Sequence, residues 1–185
     1  MASFEEQGEK ALSFALRHKL EITSVYLEIE DFQDIYLAHG KNVAQQIIIT
    51  VGKRLKEVMR TEDIAARLGV AKFAVLLPLT SEANARTVIS RIRQNVNKLV
   101  FNTGREKIRV SLAAGYTAPS MDEPLDFADI MEQADTALQK AIKRANGEKI
   151  ASFHDKEQVV AAEPTFTDDD IRNAFQHVID GAYYQ

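Results

Sequence analysis

Apolar and polar positions along this chain repeat with two different periods, and the changes of period mark its elements. Phe4, Ala11, Leu12, Ala15 and Leu16 recur at helical spacing among polar residues, which predicts a helix over 4–19. From Ile22 to Glu30 β-branched and aromatic residues dominate, as in a buried strand. The helical period returns from Asn42 to Met59 through Val43, Ile47, Val51, Leu55 and Val58, with Gly52 its weak position. Two apolar runs between Ile64 and Leu79, hinged at Leu68–Lys72, predict an antiparallel hairpin with Gly69 at the turn and Pro78 helping to end it. A helix over 82–99 carries Ala85, Val88, Ile89, Ile92 and Val96 on one face, and Lys107 to Ala118 reads as another strand. A helix over 126–145 is closed by Asn146 and Gly147 in the manner of a C-cap, and EKIASF is a short last strand.

Helices thus interleave with strands that form a mixed, largely antiparallel sheet, an α/β sandwich. Beyond it the chain turns polar, and 156–167, with Pro164, reads as a linker or docked strap. Thr167 and three aspartates then open a helix over 168–185, their charges at the positive end of its dipole.

Composition narrows the function classes. The chain has 185 residues and a net charge of −4, which suits one compact domain and argues against general nucleic-acid binding, since that affinity draws on excess positive charge. No apolar run is long enough to span a bilayer, and the first twenty residues lack a secretory pattern, so a cytoplasmic location is expected. The absence of cysteine removes disulfides, thiolate nucleophiles and zinc–thiolate sites. His18, His39, His154 and His177 show no metal-ligand spacing, and no glycine-rich phosphate loop is present.

Three stretches carry a resemblance. YLEIEDFQDI stands where a LDLDxFKxIND motif would, DIAARLGVAKFAVLLP where DxxARxGGDEFAxLLP would, and ADTALQKAIKRANG where ADxALYxAKxxGRN would. Over about residues 5–153 the chain resembles the GGDEF domains of diguanylate cyclases, which join two GTP molecules into cyclic di-GMP. The resemblance implies a nucleotidyl-cyclase-like sandwich, with a central five-stranded, mostly antiparallel sheet flanked by helices, and a degenerate GGDEF domain over 1–155. Glu28 lies 43 residues before Ala71, the separation of the family's two metal-binding carboxylates.

Most of the groups that the family uses for catalysis are replaced here, and Glu28 alone does not make up for them. The signature reads Gly69, Val70, Ala71, Lys72, Phe73. A hard dication needs oxygen ligands, and Ala71 has none in its side chain, while Lys72 places a positive charge where the metal's would sit. By the same resemblance a phosphate-binding lysine is replaced by Gln33, and guanine-reading asparagine and aspartate by Tyr36 and Gln45. A later phosphate-binding lysine and arginine become Ile142 and Asn146. The expectation is a domain without catalytic residues, without bound Mg²⁺ or another cofactor, and without cyclase activity. Glu28 and Glu30, two apart on one strand face, read as solvated or salt-bridged acids, with a residual metal site as the alternative.

An inhibitory-type site looks retained. The family places Arg-x-x-Asp five residues before its signature, and this chain has Arg60-Thr61-Glu62-Asp63 in that register. The family's further arginine, eighteen residues past the signature phenylalanine, is Arg91. Guanidinium groups fork onto phosphate oxygens and stack on purines, and a carboxylate accepts from a guanine edge, so Arg60, Asp63 and Arg91 would bind cyclic di-GMP. Alternatively, Arg60 and Asp63 form only a surface pair.

Three readings follow: a cyclic di-GMP receptor, a structural or partner-binding module, and a residual cyclase. DIRNAFQHVIDGAYYQ resembles the lead-in to an EAL phosphodiesterase domain, which suggests a piece of a GGDEF–EAL tandem protein, although an ordinary amphipathic helix would look the same. The expected partners are cyclic di-GMP and a flanking signalling or EAL domain, with no nucleic acid and no membrane span in this segment; dimerisation stays open.

Overall fold

In the computed structural model, residues 3–104, 106–120, 125–144 and 147–156 are described. Their elements run α1 (Phe4–His18), β1 (Ile22–Ile29), α2 (Phe32–Val58), β2 (Ile64–Arg67), β3 (Lys72–Pro78), α3 (Glu82–Asn97), β4 (Val100–Asn102), β5 (Lys107–Arg109), β6 (Leu112–Thr117), α4 (Phe127–Lys143) and β7 (Ile150–Ser152). The compact unit ends at Asp155.

Helix starts follow local chemistry. The Ser3 hydroxyl accepts from Glu6 N–H at the head of α1, Ser81 accepts from Asn84 N–H at α3, and Asp126 and Asp129 form a reciprocal capping box at α4. Lys19, in the left-handed region at φ 53°, ends α1.

The main sheet has the order β2-β3-β1-β6-β7, antiparallel throughout except for the parallel β6–β7 pair. Alternation along β1 decides which helices cover which face. Val25, Leu27 and Ile29 join Phe73, Val75 and the inner faces of α2 and α3 in the larger core, whereas Ile22 packs with Leu76, α1 and α4. Five strands with helices on both faces match the architecture expected from sequence, and the fold is of the nucleotidyl-cyclase type.

Three local expectations are corrected. Helix α2 begins at Phe32 rather than Asn42, because a first helical stretch joins the long one across Gly40, whose φ of 80° and ψ of 176° only glycine adopts readily. The stretch 107–118 is two strands: β5 pairs with β4 in a separate hairpin, and only β6 enters the main sheet. Strand β4 falls between the expected helix over 82–99 and the strand expected from Lys107, where the sequence pattern predicted no element; at three residues it is too short for its period to register. The expected linker and C-terminal helix lie outside the described residues, apart from Lys156. Among the described residues no helix is long and apolar enough to cross a membrane.

Candidate functional site

At the β1/β3 end of the sheet the chain leaves a cleft of about 620 Å³. Its wall is made by the end of β1 and the start of α2 (Glu28 to Gln33), the hairpin tip (Leu68 to Lys72), Ala113, Ile142 of α4 and Lys149. The sheet brings together Glu28, Gln33, Gly69, Val70, Ala71, Lys72 and Ile142, residues distant in sequence. Tyr36 and Gln45 do not line the cleft; both are exposed on α2, on either side of the Gly40 kink. Phe73 is a core residue, 5% exposed, and Asn146 lies outside the described residues.

Glu28 and Lys72 are cross-strand partners of β1 and β3. The Lys72 ammonium donates to Asp135 Oδ1 of α4 at 2.8 Å, stands 4.0 Å from Glu28 Oε2, and lies 5.4 Å from the centre of the Tyr26 ring. Burial, and secondarily the negative charge of Asp135, push the Tyr26 hydroxyl above its ordinary pKa. The carbonyl of Ala71 accepts from Ile29 N–H at 3.0 Å. At this point of the sheet one fixed positive charge therefore serves two carboxylates. Among the described residues no group of three or more histidines, aspartates or glutamates could hold a metal ion.

Glu30 differs from Glu28 in a way the two-residue spacing did not reveal. Strand β1 stops at Ile29, so Glu30 stands one residue past the strand rather than beside Glu28 on a shared strand face. Its side chain, 14% exposed, pairs with Lys149 at 3.3 Å and with Arg93 of α3 at 3.7 Å. Arg93 also donates to the Leu112 carbonyl and meets Glu148, which pairs in turn with Arg86. Asp135, Arg93 and Lys149 are the residues that sequence reasoning missed. Asp135 interrupts the apolar face that Met131, Leu138 and Ile142 mark on α4, but that position alone does not name its partner.

The second cluster forms at the other end of β2. Asp63 Oδ2 accepts from Arg60 N–H at 2.8 Å, and Arg91 reaches the Val58 carbonyl at 3.5 Å. Arg60 and Arg91 line one hollow of about 270 Å³ with Thr80, Asn84 and Thr87. Partial burial raises the Asp63 pKa; the Arg60 N–H bond and the charges of Arg60 and Arg91 oppose that shift without cancelling it. The two arginines and the aspartate are thus neighbours, and Asp63 already holds the local turn.

Comparison with known proteins places this geometry. Residues 2–148 match the family described as diguanylate cyclase, GGDEF domain. The protein YhcK of Bacillus subtilis is 31% identical over 137 residues, 72% of this chain and 37% of its own length. The probable diguanylate cyclase DgcC of Escherichia coli K12 is 28% identical over 128 residues, 69% of this chain and 34% of its own. This chain therefore spans about a third of the length of these relatives. In fold it is similar to the GGDEF domain of DgcB from Caulobacter crescentus, solved in complex with c-di-GMP, with a TM-score of 0.74 at 22% identity over 82% of this chain and 86% of that one. With the family matched across most of its length and the same sheet and helices in place, this chain belongs to the GGDEF family of diguanylate cyclase domains.

Proposed function

We propose that this GGDEF domain acts in cyclic di-GMP signalling as a regulatory module that does not cyclise GTP, and that it binds cyclic di-GMP through Arg60, Asp63 and Arg91. The observation that carries the first part is the Lys72 ammonium, 2.8 Å from Asp135 and 4.0 Å from Glu28, beside an alanine at the position the family fills with a metal-binding acid. A divalent ion there would face a fixed cation and would find Glu28 already shared. Val70, 69% exposed, adds a branched side chain where the family's glycine admits the nucleotide. Arg60 and Arg91 line one hollow and Asp63 is bonded to the Arg60 N–H, which supports the second part, since together they offer forked donors for phosphate and an acceptor pair for guanine.

The test is direct. Incubation with GTP and Mg²⁺ or Mn²⁺, followed by chromatography, should yield no cyclic di-GMP; its formation overturns the first part. Calorimetric titration with cyclic di-GMP should show saturable heat, weakened about tenfold or more in Arg60→Ala and Arg91→Ala. Absence of heat in the wild type overturns the second.

A structural or partner-binding role is the second reading, favoured by one contact: the Asp63 carboxylate already accepts the Arg60 N–H. Under that reading cyclic di-GMP gives no heat, while removal of the domain changes the activity of a flanking signalling or EAL domain.

A further inference from the structure

The sheet ends at β2, which among the described residues pairs only with β3. In that hairpin Leu68 N–H donates to the Lys72 carbonyl at 3.0 Å. Carried back along an antiparallel pair, this register turns the backbone groups of Ala66 and Ile64 toward β3 and those of Ala65 and Arg67 outward. Ala65 and Arg67, which carry this outward row of donors and acceptors, are both exposed residues. The row borders a groove of about 800 Å³ flanked by α1 and α2.

The groove has two chemistries. Half-buried Met59, just past α2, and Phe4 of α1 give it apolar ground over the buried Leu55, and Gly52 of α2 leaves room close to the helix backbone. Lys56, Arg60 and Arg67 set three cations along it against Asp63. Among the described residues Lys56 and Arg67 have no ion pair, so a chain of net charge −4 carries a local positive excess at this edge. A charged residue on an edge strand ordinarily discourages further pairing. Here it also selects: a basic strand is repelled, and an acidic one is neutralised as it docks.

We propose that β2 and the groove beside it accept an extended acidic–apolar segment of a partner protein as an added strand of the sheet. Its backbone would pair with Ala65 and Arg67. Alternate apolar side chains would lie against Phe4 and Met59, and the acids between them would meet Lys56, Arg60 and Arg67. This inference shares Arg60 and Asp63 with the proposed nucleotide site but reaches beyond it, because Lys56 and Arg67 do not line the Arg60–Arg91 hollow and Arg91 does not line the groove.

A fluorescein-labelled peptide of alternating valine and glutamate, titrated against the whole chain by fluorescence polarisation, tests it. Saturable binding is expected, weakened about tenfold or more by Arg67→Glu, similarly by Ala65→Pro, and unchanged by Arg91→Ala, the variant that separates it from the nucleotide site. Proline at Ala65 removes an outward N–H from an edge strand and leaves the β3 pairing intact, which circular dichroism checks. The same peptide N-methylated at alternate amides probes backbone pairing without altering the protein, and should bind at least about tenfold more weakly. Absence of saturable binding, equal affinity for a valine–lysine peptide, or indifference to N-methylation overturns the proposal.

Discussion

At the scale of single residues, Lys72 decides what the cleft can hold. Its side chain is 29% exposed and that of Asp135 is 43% exposed, so the pair is only partly shielded from water and from salt. Replacing Lys72 by methionine keeps most of the aliphatic stem but leaves Glu28 and Asp135 as neighbouring acids with no shared cation. The expected cost is about 1 kcal/mol in urea denaturation at neutral pH. Adding Asp135→Leu should cost less than the two single changes summed, because the second change removes an acid the first had orphaned. Additive costs would mean that the two side chains are not coupled. The alanine at 71 where the family has an acid, and the lysine at 72, were both legible in the signature itself. Asp135 was not, because no spacing rule says which residue 63 positions away an ammonium will find.

At the scale of elements, β6 and α4 approach each other closely at Gly115. A Cβ built on Gly115 would stand 1.9 Å from the Leu138 backbone nitrogen and 2.4 Å from its Cα, so the helix can lie on the strand only because the side chain is absent. Backbone cannot rotate aside as a side chain can. Gly115→Ala should therefore destabilise the protein by about 3 kcal/mol, at the upper end of ordinary overpacking, seen as a lowered denaturation midpoint. Gly52 is the contrast. A Cβ there meets only the edge of the Phe73 ring at an ordinary 3.6 Å, and α2 gains helix propensity, so Gly52→Ala should be neutral or stabilising by up to about 1 kcal/mol. The helical period marks Gly52 as a weak position, whereas no pattern in the sequence singles out Gly115. Propensity is a property of one segment, whereas the fit of β6 beneath α4 depends on two. The long helices and the β2–β3 hairpin were readable for the same reason: their periods repeat several times. The helix before Gly40 and strand β4 were not, since one or two turns or three residues give a period too little chain to show itself.

At the scale of the whole molecule, Arg93 joins parts that meet nowhere in the sequence. From α3 it donates to the Leu112 carbonyl of β6 and pairs with Glu30 after β1 and Glu148 before β7. Its side chain is 13% exposed, so it is held in surroundings where an unpaired acid is costly. Arg93→Met should destabilise by roughly 2–3 kcal/mol and raise amide exchange around Leu112 and Glu148 before other parts of the sheet. Unchanged stability would show that Lys149 alone satisfies Glu30. The sequence by itself determined the order of the four helices and the five main-sheet strands, the location of the hairpin tip and the replacement of metal-binding oxygens there by a methyl and an ammonium. Those are facts of residue type and of repeating pattern, carried by short stretches of chain. Tertiary structure alone decided that Lys72 would be held by Asp135 and Glu28, that Glu30 would be held by α3 and the start of β7, and that β2 would be left as a sheet edge between α1 and α2. Each of these depends on which distant segments come within a few ångströms, and that is settled by how the apolar faces of helices and sheet bury one another, not by any local spacing.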